Sequence, residues 1–359
     1  MKSIFLGLAV LAAAMPADFV KTQTARAADV EGTWSARLYT KDKAGAPLEP
    51  RLQLQMNIDD DRERNWSNWG QSVRVSDLVN LPANLDPAQD VKFELRRDAG
   101  VVVFSGRFEE GRGVGHLTFT ANREFARVLA QQTNDQPTDR ELFSYAMVDV
   151  SRAFVSELRT MGFGDVSLDE AYTLRIHGTT IDFVKGIRAE YPNVDLDDIK
   201  KLRIHGVNTG YIAGLKAAGL QNPSLDEVLK FRIHGVTLDY VKEMRALGLA
   251  HDLDDIVQSR IHGVTPAFAK DMASLGYKGL DFSDLRKFRI HGVTPAFVRD
   301  MASLGYKDVD ADTLVKFRIH GITPKFVNEL KDAGYTNLSE DELVDWAIHG
   351  RRLLRTRRR

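Results

Sequence analysis

Residues Asp281 to Tyr306 read DFSDLRKFRIHGVTPAFVRDMASLGY, and this order of residue types spells two short helices joined by a glycine turn. Gly292 stands where a helix ends in a left-handed residue, with His291 as the last half-helical position and Val293 placed to touch Phe288 across the turn. Thr294 then caps the next helix, and Pro295 takes its first turn, where a missing N–H costs nothing. Phe297, Val298, Met301 and Leu304 make that helix's apolar stripe. Gly305 stops it in the same manner, with Tyr306 reaching back to Met301.

The turn recurs along the chain. Ile-His-Gly occurs seven times, with histidines His177, His205, His234, His262, His291, His320 and His349 at intervals of 28 or 29 residues. A fixed period of this size marks stacked supersecondary units that bury a continuous core between neighbours. The preceding helix has its own start signals: Ser167 with Glu170, Ser224 with Glu227 and Ser339 with Glu342 are capping boxes, and Asp195, Asp252, Asp281 and Asp310 take the cap in sister repeats. Aligned on the aromatic of the post-glycine helix, the units carry Phe154, Phe183, Tyr211, Tyr240, Phe268, Phe297 and Phe326, and Phe125 extends the series backwards by 29. The repeats are therefore expected over residues 120–350 in about eight units, the first two atypical.

Upstream, over residues 30–119, the apolar period changes to two, most clearly where Leu52, Leu54, Met56 and Ile58 alternate with Gln53, Gln55 and Asn57. Short runs at 73–75, 91–95, 101–104 and 115–119 follow, divided by Gly, Asn, Asp and Pro. The fold expected is α+β: a small N-terminal antiparallel β-sandwich or barrel, then an α-solenoid of two-helix repeats of 28–29 residues. Gly32-Thr33-Trp34 resembles the start of lipocalin-like barrels but reads more simply as a core tryptophan. Trp66 and Trp69, in a polar stretch, are candidates for stacking on a glycan or other small envelope molecule, or for closing the end of the sheet.

At the N-terminus, Lys2 precedes an apolar run from Ile4 to Ala14 that is too short to span a bilayer, and small residues follow it. Residues 1–27 read as a signal peptide and the protein as exported, to the periplasm in preference to full secretion. The chain has no cysteine, so stability comes from packing without disulfides or thiolate metal sites. Its formal charge of −1 gives no reason to expect nucleic acid as a partner. Residues 351–359 hold six arginines in nine positions, a basic tail whose simplest reading is a solvated end and whose electrostatics allow weak contact with anionic lipid. No later segment is apolar enough for an integral membrane helix.

Seven histidines at one repeat position invite a metal reading, but successive repeats place them roughly 10 Å apart, the spacing of packed helices, whereas zinc takes its ligands within about 2.1 Å. The simpler expectation is capping: at a helix C-terminus the ring meets free carbonyls and a favourable dipole. Arg175, Arg203, Arg232, Arg260, Arg289 and Arg318 precede the histidines by two positions, while Ala347 breaks the series. They suit the same dipole and are expected to pair with carboxylates of the adjacent helix such as Asp300 or Glu243. No nucleophile elbow, phosphate loop or HExxH is present, so no catalytic residue, cofactor or metal is assigned.

The stretch from Asn68 to Leu78, the run Phe93 to Gly100 and the repeated FRIHGVTPAFVRDMASLGY resemble uncharacterised exported bacterial repeat proteins. Their repeats also form extracytoplasmic tails of membrane metallopeptidases of the β-lactam-sensor class. The resemblance implies an envelope location and a sensing or partner-docking role; the peptidase motif and spans are missing here, so peptidase activity is not carried over. Together these readings predict a non-catalytic envelope scaffold for a protein partner, with ligand binding by the β-domain as the alternative.

Overall fold

A computed structural model of the chain describes residues 29–42, 45–58, 67–130, 136–249 and 252–350. The expected signal peptide at 1–27, Trp66 and the basic tail at 351–359 lie outside these residues. The chain divides into two compact units, Met1–Arg152 and Ala153–Arg359.

In the first unit seven strands form one antiparallel sheet: β1 (Val30–Lys41), β2 (Pro47–Ile58), β3 (Ser67–Arg74), β4 (Leu78–Val79), β5 (Gln89–Arg97), β6 (Gly100–Glu109) and β7 (Arg112–Ala121). Their order is β3-β2-β1-β7-β6-β5-β4, so the ends of the chain segment meet at the centre, where β1 pairs β7. The sheet is curled into a half-barrel, a single antiparallel layer, so of the two forms expected, sandwich or barrel, it is the barrel that the strands approach, without a second sheet. Alternation decides its inner face: Leu52, Leu54, Met56 and Ile58 of β2 are all buried. Trp34 joins them as a core residue; its indole N–H donates to the His116 carbonyl at 3.0 Å, and its ring meets Phe93 edge-on at 5.5 Å.

Two helices complete this unit, α1 (Arg123–Ala130) and α2 (Asp139–Val148). The expected start of the repeats near Thr120 thus falls inside the first unit. Helix α2 packs on β1, β6 and β7, and its Phe143 meets Phe119 edge-to-face at 5.5 Å. Alternation in β2 implied a covered face; α2 supplies part of that cover.

The next helix, α3 (Arg152–Thr160), is followed by two interleaved series. The helices that end in the Ile-His-Gly turn are α4 (Leu168–Ile176), α6 (Leu196–Ile204), α8 (Leu225–Ile233), α10 (Leu253–His262), α12 (Phe282–His291), α14 (Ala311–Ile319) and α16 (Glu340–Asp345). The post-glycine helices are α5 (Ile181–Glu190), α7 (Thr209–Ala217), α9 (Leu238–Ala246), α11 (Pro266–Ser274), α13 (Pro295–Ser303) and α15 (Pro324–Asp332). A π turn, Trp346–Gly350, closes the described chain. Helices of like position are neighbours: α10 packs on α8 and α12, and α11 on α9 and α13.

The local chemistry follows the quoted unit. Gly292 has φ of 73°, the Val293 N–H donates to the Phe288 carbonyl at 2.8 Å, and the Thr294 hydroxyl accepts from Phe297 N–H at 3.1 Å. Ser167, Ser224 and Ser339 form complete capping boxes, and Asp195, Asp252, Asp281 and Asp310 cap their helices. The carboxyl of Asp310 is held below its usual value chiefly by its bonds to Thr313.

Candidate functional site

The repeated turns of the second unit bring together four kinds of side chain: arginine, histidine, tyrosine and isoleucine. The arginines work between repeats. Arg203, Arg232, Arg289 and Arg318 each donate from Nε to the main-chain carbonyl of the preceding repeat's histidine, His177, His205, His262 and His291, at 3.1–3.4 Å. Each guanidinium also lies over the preceding repeat's aromatic ring: Arg203 over Phe183 at 5.2 Å, Arg232 over Tyr211 at 4.9 Å, Arg289 over Phe268 at 5.1 Å and Arg318 over Phe297 at 5.0 Å. A carbonyl left open at a helix end is thereby closed by the next repeat. Arg175 lies over Phe154 at 5.3 Å and donates within its own turn to the Thr179 carbonyl. At Arg260 the ring contact with Tyr240 remains, at 4.9 Å, while Nε has no hydrogen-bond acceptor.

The arginines do not pair with the carboxylates expected: Glu243 is engaged with Lys270 at 3.2 Å. What the histidines contribute to this joint is main chain. The rings of His177, His205, His234 and His349 are exposed and those of His262, His291 and His320 half-buried. Among the described residues no three His, Asp or Glu side chains are grouped so as to hold a metal ion.

Tyrosines form a second set of links. Tyr211 donates to the Val236 carbonyl and Tyr240 to the Val264 carbonyl, each at 2.7 Å, while Tyr277 and Tyr306 reach Val309 and Leu338 at 2.6 and 2.9 Å. Burial pushes the phenols of Tyr211 and Tyr191 up to about 12.

The isoleucines do the opposite of what apolar residues in a helix usually do. Ile176, Ile204, Ile233, Ile261, Ile290, Ile319 and Ile348, one in each turn, are between 49% and 56% exposed. Ile290 shows why: it lies two residues beyond buried Phe288, about 200° around the helix. Sequence reasoning assigned these residues no role of their own, because it read the Ile-His-Gly motif through its histidine and glycine. The signal was present in that offset, because a residue two positions from the buried face points away from it.

Trp69, on β3, is half-buried and meets Phe143 edge-to-face at 6.3 Å, a packing contact within the first unit. A shallow cleft of about 260 Å³ between Tyr277, Arg299 and Tyr306 carries one carboxylate, Asp308. Comparison with known families, with curated proteins and with solved structures returns no match to this chain.

Proposed function

We propose that the protein is a non-catalytic, exported scaffold, in which the helices of the second unit stack as an α-solenoid and hold a protein partner along their outward face. The observation that carries this reading is the recurrent joint, in which an arginine of one repeat closes a carbonyl and covers a ring of the repeat before it. Arginine and tyrosine at the repeated positions are occupied in joining repeats, and glycine and threonine in ending and capping the helices of each repeat. Such an array is suited to holding a long surface rigid, and recognition falls to residues that differ between repeats. The apolar run after Lys2 supports export, and periplasmic residence is part of the proposal. Trp69 gives the alternative, a ligand held by the β-domain, no support, because its ring is engaged with Phe143.

Lysine-directed crosslinking of the full chain in intact cell envelopes, read by mass spectrometry, tests the proposal. Exposed Lys185, Lys242, Lys270 and Lys325 on the post-glycine helices are expected to crosslink to one protein. Crosslinks confined to Lys41 and Lys92 of the first unit would refute it.

A further inference from the structure

We propose that the edge carrying the repeated turns docks on an anionic phospholipid surface. Two observations meet there. The first is the row of seven half-exposed isoleucines, which is the largest set of exposed aliphatic side chains among the described residues. Their helices neighbour one another through α8, α10, α12, α14 and α16, so the rungs follow in sequence, and arginine-to-carbonyl bonds tie successive turns together. Isolated exposed apolar residues need no explanation, but seven of one kind, one in each repeated turn, mark a face that the repeats hold in common.

The second observation is charge. Each turn-bearing helix from α6 to α14 carries its acids in the first turn and its bases in the last: Lys201 and Arg203, Lys230 and Arg232, Lys316 and Arg318 are examples. No carboxylate falls in the last four residues of α4, α6, α8, α10, α12 or α14. At the edge, Lys201, Arg203, Lys230, Arg232, Lys316 and Arg318 thus outnumber the acids there, Asp182 and Asp239 at the starts of α5 and α9 and Asp345 at the end of α16. From Gly350, in the last turn, the sequence runs directly into Arg-Arg-Leu-Leu-Arg-Thr-Arg-Arg-Arg, a further basic and apolar run.

A cationic edge lined with aliphatic side chains is complementary to a surface that is anionic outside and apolar beneath, the chemistry of a bilayer rich in acidic phospholipid. The same charges oppose pairing of two such edges from two copies. A folded protein partner would be read by side chains that differ from rung to rung, and here all seven are the same residue. A fluid lipid surface makes no demand for register. Partial insertion of isoleucine and attraction of lysine and arginine supply the two signals that stable peripheral binding needs.

The test uses residues 28–359, free of the apolar 4–14 run, and co-sedimentation with vesicles of pure phosphatidylcholine or of phosphatidylcholine with phosphatidylglycerol. Binding is expected to the second alone and to weaken with salt. A variant carrying Ile204→Ser, Ile233→Ser, Ile261→Ser and Ile290→Ser is expected to bind about tenfold or more weakly, and the same four changes to Leu to bind as the parent does. Because the chain has no cysteine, Ile261→Cys carries a single environment-sensitive fluorophore. Its emission is expected to shift to the blue on acidic vesicles, while a label at Asp226→Cys, at the other helix end, stays unchanged. The proposal fails if the serine variant sediments as the parent does, if deletion of 351–359 alone abolishes binding, or if the label at 261 does not shift. It fails equally if the isoleucine changes dissolve a dimer instead, or abolish the crosslinks to a protein while vesicle binding persists.

Discussion

Arg232 does three things with one planar group: its Nε–H closes the His205 carbonyl, its face covers Tyr211, and a terminal nitrogen fills the space beside Gly206, where a methyl group would lie 2.9 Å away. Truncation by Arg232→Ala is expected to cost about 1–2 kcal/mol in urea unfolding, the sum of a charge-assisted bond and a partly exposed ring contact. Arg232→Lys should recover less than half of this, since an ammonium keeps the charge but not the fork or the stacking plane. His205→Ala should stay within about 0.5 kcal/mol of the parent, because only the main chain of that residue takes part. The arginine series was legible in the sequence and its acceptor was not. Pairing rules look for carboxylates, and the acceptor is a main-chain oxygen 26 or 27 residues upstream, which every residue type provides.

At the scale of the element, each helix is about nine residues long and too short to be stable alone, so its ends matter. Ser224 and Glu227 satisfy each other's N–H groups at the start of α8, at 3.3 and 2.7 Å. Ser224→Ala is expected to lower stability by about 1 kcal/mol and Ser224→Asp to leave it nearly unchanged, measured by thermal and urea midpoints. These boundaries were readable from sequence because a cap is completed within three residues of itself. The exposure of Ile290 was equally local, two positions from buried Phe288, but the offset is visible only once the buried face of the helix is fixed.

At the scale of the molecule, the strands were legible from alternation, but their arrangement was not. Alternation says that Leu52 and Leu54 are covered and is silent on whether a second sheet covers them or the one sheet curls over them. In the second unit the buried tyrosines give the folded chain a definite pH response. With Tyr191 and Tyr211 near 12 in the folded state and phenols ordinarily near 10, the unfolded chain releases these protons first. The stability they contribute is complete below pH 10 and is lost as pH rises from 10 to 12. Urea midpoints should fall across that window, and Tyr211→Phe should lessen the fall.

The arginine joint also has a direction. Each donor lies one repeat downstream of the carbonyl it closes, so a repeat depends on the one that follows it in the chain. On the ribosome, the helix ends at His177, His205, His262 and His291 stay open until the following repeat arrives, and folding there trails translation by one repeat. A chain stopped at residue 221 retains α6 and α7 but lacks Arg232, and protease should cut near its His205 turn. Extension to residue 249 should protect the turn, because the newest repeat completes the one made before it.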